Sequence, residues 1–193
     1  MGALRFFNIK NIKNKFKLNI LVETGTYRGD SIKFAKQFKF DKIISVEYFD
    51  SYFKTTKKIF KNDNNILLYN GTSLDMLPNM LSNINSEDRI LFWLDAHLPS
   101  NYSHKLESES IEFPLENELN KIKEIRNISN DYFLIDDLRI YEDGPFAHGN
   151  WIDRKKFKAN NGIEFIYKLF KNTHNINKDY RNEGYIVMEP RNV

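Results

Sequence analysis

Short apolar runs of strand length recur along the chain, separated by stretches in which apolar positions return every three or four residues. The runs are LNILVE (18–23), KIISVE (42–47), NILLYNG (65–71), RILFWLD (89–95), DYFLIDD (131–137) and YIVME (185–189). They are nearly continuous rather than alternating, the pattern of strands covered on both faces. Between them, Ile32, Ala35 and Phe38 repeat every third position, Leu115, Leu119, Ile122 and Ile125 form a stripe after Pro114, and Ile163, Ile166, Tyr167 and Phe170 form another. That spacing places the apolar side chains on one face of a helix. Strands alternating with helices of this size predict right-handed crossovers and an α/β, doubly wound, mostly parallel sheet with helices on both faces. In such a sheet, ligands bind beyond the carboxyl ends of the strands.

The interruptions are Asn-rich turns, KNDNN (61–65) and NINSED (83–88), with no internal repeat and no Pro/Gly/Ser linker. A chain of 193 residues so organised predicts one domain, 1–193, with a basic helical segment over 1–17. Hydrophobic residues at 41% and aromatics at 15% predict a folded globule. The absence of cysteine excludes disulfides, thiolate zinc sites and a cysteine nucleophile, so any metal must use oxygen or imidazole ligands. No apolar run approaches the roughly 18 residues of a membrane span. The start, MGALRFFNIKNIKNKFK, lacks a long apolar core and a small-residue cleavage site, and Phe6 breaks the myristoylation pattern, so the expected location is the cytoplasm.

Charge is unevenly spread. Residues 1–61 carry 14 Lys/Arg against 5 Asp/Glu, while the remainder carries 15 against 21. A basic third could face nucleic acid, but its lysines fall at helical spacings between apolar residues, as a solvated helix face does.

The residues that end the predicted strands are informative. The first run leads into Glu23-Thr24-Gly25-Thr26-Tyr27-Arg28-Gly29-Asp30-Ser31. Gly25 allows a tight turn or a close backbone approach, Gly29 allows close packing of a helix start, and Asp30 or Ser31 could cap that helix. By itself this spacing is shared by many turns. The second run ends in Glu47, 22 residues after Gly25, where a carboxylate can accept hydrogen bonds from both hydroxyls of a ribose. The third ends in Asn70-Gly71-Thr72-Ser73, either a ligand-facing turn or an ordinary helix cap. Asp95 and His97 follow the fourth run, and Asp136 and Asp137 close the fifth. Carboxylates ending buried strands are costly unless paired, hydrogen-bonded or bound to a cation. Three carboxylates suit a hard divalent ion such as Mg²⁺ or Mn²⁺, and His97 is suited to take a proton from a bound hydroxyl.

Taken in order and spacing, ETGTYRGDS, SVE, NGTS, FWLDAH, PLENEL and FLIDDLR resemble the class I S-adenosylmethionine-dependent methyltransferases. Within them the chain is similar to the small sugar O-methyltransferases of the macrolide-sugar and aminocoumarin type and to glycan methyltransferases, over about residues 20–140. The resemblance implies a Rossmann-like sheet of about seven strands with YIVME inserted antiparallel. It implies a donor site with Glu23, Gly25, Thr26, Tyr27, Gly29 and Ser31 on the methionine side and Glu47 on the ribose. Gly71, Thr72, Ser73 and Asp95 complete that site. A divalent cation would sit on Asp95, Asp136 and Asp137, with Asp95 and His97 catalytic. Three features depart from the family pattern: Tyr27 stands where many members have glycine, Thr72 where they have Asp, and 98–113 replaces a Gly-rich loop.

The expected reaction is transfer of a methyl group to a hydroxyl of a sugar, glycan or nucleotide-sugar acceptor. Candidate acceptor loops are 98–114 and 139–160, with Arg139, Tyr141, His148 and Trp151 as candidate contacts. An RNA methyltransferase and a non-catalytic nucleoside-binding protein of the same fold are the alternatives; a nicotinamide oxidoreductase would want a tighter glycine turn than GTYRG. The chain alone does not separate a monomer from a homo-oligomer.

Overall fold

A computed structural model describes residues 3–96, 113–151 and 162–191. The described strands are β1 (Ile20–Thr24), β2 (Lys42–Glu47), β3 (Ile66–Asn70), β4 (Ile90–Leu94), β5 (Tyr132–Ile135), β6 (His174–Asp179) and β7 (Tyr185–Pro190). The helices are α1 (Ile9–Phe16), α2 (Asp30–Ala35), α3 (Asp50–Ile59), α4 (Ser73–Leu81), α5 (Leu115–Ile125) and α6 (Glu164–Phe170). The strands form one sheet in the order β3-β2-β1-β4-β5-β7-β6. The first five pair in parallel, and β7 runs antiparallel to both β5 and β6, as the resemblance implies for YIVME.

Successive strand residues point to opposite faces, so each strand feeds two apolar layers. Leu21, Ile43, Leu91, Trp93 and Leu134 meet Ile9 and Phe16 of α1, Ile32 and Ala35 of α2, and Phe60 just after α3. Val22, Ile44, Phe92 and Phe133 meet Leu77 of α4, Leu119 and Ile122 of α5, and Ile166 and Phe170 of α6. This two-sided cover is the reason the strands read as unbroken apolar runs. The chain leaves β1 for β2 on one side and reaches β4 on the other, which opens a crevice at the carboxyl ends where the order reverses.

One strand escapes the sequence pattern. β6 is HNINKD, and His174 is its single buried residue, because β6 is an edge strand that packs only weakly on the core. The basic start is helical as expected. Ile9 and Phe16 are buried, while Lys13 lies 5.4 Å from the Phe40 ring and Lys15 sits 3.6 Å from Glu189. These lysines lay their stems on the protein and turn their charges outward. Among the described residues, no helix is long and apolar enough to cross a membrane.

Candidate functional site

Past the strand ends the parallel ladder continues into the loops and fixes them. Gly25 and Thr26 N–H groups both donate to Val46 O, at 3.0 and 3.1 Å, Gly71 N–H to Glu47 O at 3.0 Å, Asp95 N–H to Thr24 O at 3.0 Å, and Asp136 N–H to Leu94 O at 3.1 Å. The loop after β1 therefore lies against the end of β2. Gly25 has φ +93°, and a Cβ there would stand 2.6 Å from the carbonyl oxygen of Asp95. Only glycine keeps the loop this close to the end of β4. Gly29 has φ +71° and faces the Phe60 ring, which a Cβ would meet at 2.7 Å.

Glu23 is fully buried, and its carboxylate accepts hydrogen bonds from the hydroxyls of Ser45, at 2.6 Å, and Ser31. Burial pushes its pKa up to about 7; the two hydroxyls lower it and the charge of Glu47 raises it further. Thr26 Oγ1 shares a 2.6 Å bond with the same Ser45 hydroxyl. The sequence suggests a cap from Asp30 or Ser31; instead Gly29 holds the N-cap position without a side-chain bond, and Ser31 lies inside α2, tied to Glu23. Tyr27 has φ +48°, the conformation that favours glycine, and its ring packs 4.6 Å from Tyr52 with Arg28 5.1 Å above it. Tyr27 thus takes a backbone geometry that glycine adopts more readily.

Glu47 ends β2 with its two carboxylate oxygens each held by a loop N–H, Tyr27 at 2.7 Å and Phe49 at 2.8 Å. Among the described residues only these backbone groups bond the carboxylate, which leaves lone pairs open to a ligand. The turn after β3 serves as a cap: Thr72 Oγ1 accepts from Asp75 N–H at 3.2 Å and donates to the Asp75 carboxylate at 2.6 Å. Gly71 has φ +149°, and Ser73 opens α4 with its side chain buried.

Asp95 is half-buried and Asp136 is buried at the ends of neighbouring strands β4 and β5. The Asp95 carboxyl is held well above the ordinary range, chiefly by desolvation and then by the charges of Asp136, Asp137 and Glu23. Asp136 is raised in the same direction by burial and by Asp137. Asp136 Oδ1 accepts from Asp137 N–H at 2.8 Å, Asp137 has φ +58°, and Arg139 lies 3.7 Å from the Asp137 carboxylate. Three acids coupled by mutual repulsion fit a cation in kind, although among the described residues no three acidic or imidazole side chains stand in metal-holding geometry. His97 and most of the loop 98–114 lie outside the described residues.

The candidate acceptor contacts fall in different settings. Tyr141 is buried, 6.2 Å from the Phe113 ring, and Trp151 packs 5.6 Å from that same ring. His148 is exposed, and Arg139 is partly exposed beside Asp137. Residues 152–160 of the second loop lie outside the described residues. Two further buried polar residues, Ser45 and Glu118, sit where sequence reading expects core. Each has a signal in hindsight: a serine inside an aliphatic run, and an acid on the stripe Leu115, Glu118, Leu119, Ile122.

No protein-family model and no curated protein matches the sequence. Solved structures do match the fold. The SAH-bound Podospora anserina methyltransferase PaMTH1 aligns with a TM-score of 0.65 and 15% identity over 95% of this chain and 76% of that one. A Staphylococcus aureus structure provisionally described as a caffeoyl-CoA O-methyltransferase aligns at 0.64 and 13%, over 98% of this chain and 84% of that one. A Clostridium thermocellum structure provisionally described as an rRNA methylase aligns at 0.59 and 14%, over 98% of each chain. The chain has the Rossmann-like fold of the class I S-adenosylmethionine-dependent methyltransferases, with its mixed seven-stranded sheet and antiparallel β7.

Proposed function

We propose that the chain is a single-domain S-adenosylmethionine-dependent O-methyltransferase acting on a hydroxyl of a sugar or glycan-type acceptor. The observation that carries this reading is Glu47, a buried carboxylate aimed by two loop N–H groups at the end of β2, beside a glycine loop that tolerates no side chain at Gly25.

Bound at these strand ends, S-adenosylmethionine supplies a methyl group on a positively charged sulfur, which an acceptor oxygen takes in one displacement while S-adenosylhomocysteine leaves. Glu47 accepts hydrogen bonds from the two ribose hydroxyls. The bare backbone at Gly25 lets the donor approach the loop, and Glu23, braced by Ser31 and Ser45, holds α2 against β2 beneath it. Thr26, Tyr27, Gly29, Gly71, Thr72 and Ser73 shape the walls of the same crevice. Asp95, Asp136 and Asp137 would hold a divalent cation, which polarises a hydroxyl oxygen when bound. His97 takes the hydroxyl proton, and Arg139 and His148 are the polar acceptor contacts.

A release assay for S-adenosylhomocysteine across nucleotide sugars, glycans and RNA, with and without Mg²⁺ or Mn²⁺, tests this reading. Turnover on a sugar acceptor supports it. Turnover on RNA alone would move the function to the RNA reading, which the basic first third and the likeness to the rRNA methylase favour. Donor binding with no turnover on any acceptor would favour a non-catalytic protein of this fold. Asp136→Asn with Asp137→Asn should abolish metal-stimulated turnover while donor affinity stays within about threefold, because in this reading Glu47 and not these acids holds the ribose; full activity in EDTA contradicts the cation. His97→Ala should lower the rate by about 10² to 10⁴.

A further inference from the structure

Behind the strand ends, on the α4–α6 side of the sheet, lies a polar cluster built around an acid that this chemistry does not use. Glu118 stands in the first turn of α5, on its core-facing stripe, and is fully buried. Neither of its carboxylate oxygens has a hydrogen-bond partner, nor does the hydroxyl of Thr24. Thr24 is the last residue of β1, next to Gly25, and Ser73 is the first residue of α4, next to the cap Thr72. Burial pushes the Glu118 pKa up to about 7, and the nearby Ser73 and Thr24 hydroxyls draw it back only in part. The hydroxyls are therefore close, yet the bonds are not made in ordinary geometry. Tyr141, from the segment after β5, also faces this carboxyl.

A buried acid with both oxygens unsatisfied works against folding, and a leucine would fill its place on the stripe at lower cost. Positions that break a folding rule in this way mark functional demands. The two hydroxyls beside Glu118 belong to residues that border the two proposed donor loops, Thr24 entering Gly25 and Ser73 following Gly71 and Thr72. The geometry points to Glu118 as a positioning residue for the methyl donor: on donor binding, Thr24 and Ser73 turn their hydroxyls onto its carboxyl and lock both loops in register. This inference rests on the donor-site reading above.

Calorimetric titration with S-adenosylhomocysteine, paired with thermal melts of the full chain, tests it. Glu118→Leu should weaken binding about tenfold, the loss of one or two hydrogen bonds to a buried carboxyl, while its melting temperature stays level or rises. Glu118→Gln keeps one acceptor oxygen and should recover affinity to within about threefold. Thr24→Val should also weaken binding, and adding it to Glu118→Leu should cost nothing more, because both act through one bond. Affinity in Glu118→Leu within about twofold of the parent overturns the inference, as does a lower melting temperature with unchanged affinity. If Glu118→Leu does not fold, unchanged affinity in Thr24→Val overturns it as well. A parent chain that fails to bind S-adenosylhomocysteine removes the donor reading and this inference together, whereas a binding parent with unaffected variants removes this inference alone.

Discussion

Gly25 and Tyr27 stand two residues apart in one loop and meet the same backbone demand by opposite means. Tyr27 accepts φ +48° and is held there by its contact with Tyr52 and by its N–H bond to Glu47. Gly25 cannot be replaced this way, since any Cβ would meet the Asp95 carbonyl at 2.6 Å. Gly25→Ala should destabilise the fold by about 2 kcal/mol and abolish donor binding, as read by urea unfolding and calorimetry. The buried acid Glu118 makes a second residue-level prediction. Its folded pKa, about 7, lies above the ordinary 4.5, so folding favours the protonated form. Its burial is least costly below about pH 4.5, and fold stability is lost as pH rises through about 7, a swing on the order of 3 kcal/mol. Unfolding curves of Glu118→Gln between pH 4.5 and 8 should fall less steeply than those of the parent by about that amount. Parallel curves would mean that Glu118 does not titrate in this range.

Among the elements, the sheet was legible because β1, β2, β4 and β5 are covered on both faces and must be apolar throughout. β2 matches its run residue for residue, and the others differ from theirs by one to three residues at the ends, where capping and turns take over. β6 was not legible, because an edge strand that buries only His174 carries no apolar pattern. The loops at the strand ends were legible as positions but not as roles: the sequence puts Thr72 either at a ligand or at a cap, and the structure has it capping α4 through Asp75. Thr72→Ala should therefore cost about 1 kcal/mol of stability, measured by chemical denaturation. Ser45 and Glu118 were hidden for a common reason. Each occupies a position whose periodicity reads as core, and only the side chains it meets across the fold reveal a polar partner or the lack of one.

On the scale of the molecule, two apolar layers clamp the sheet and leave its carboxyl edge to the acids. Glu23, Glu47, Asp95 and Asp136 stand at the ends of four strands that lie side by side, β2-β1-β4-β5, so the topology itself gathers the carboxyl groups at one edge. The proposed donor, with a positive sulfur and a ribose, would bind along that edge, and Glu47 is the residue on which the proposal rests. Calorimetric titration of S-adenosylhomocysteine into the parent chain and into Glu47→Ala tests this most directly. The account predicts saturable one-to-one binding by the parent and at least about tenfold weaker binding by the variant, because two hydrogen bonds to a charged acceptor are lost. Equal affinity in the two proteins, or no binding by the parent, would contradict it.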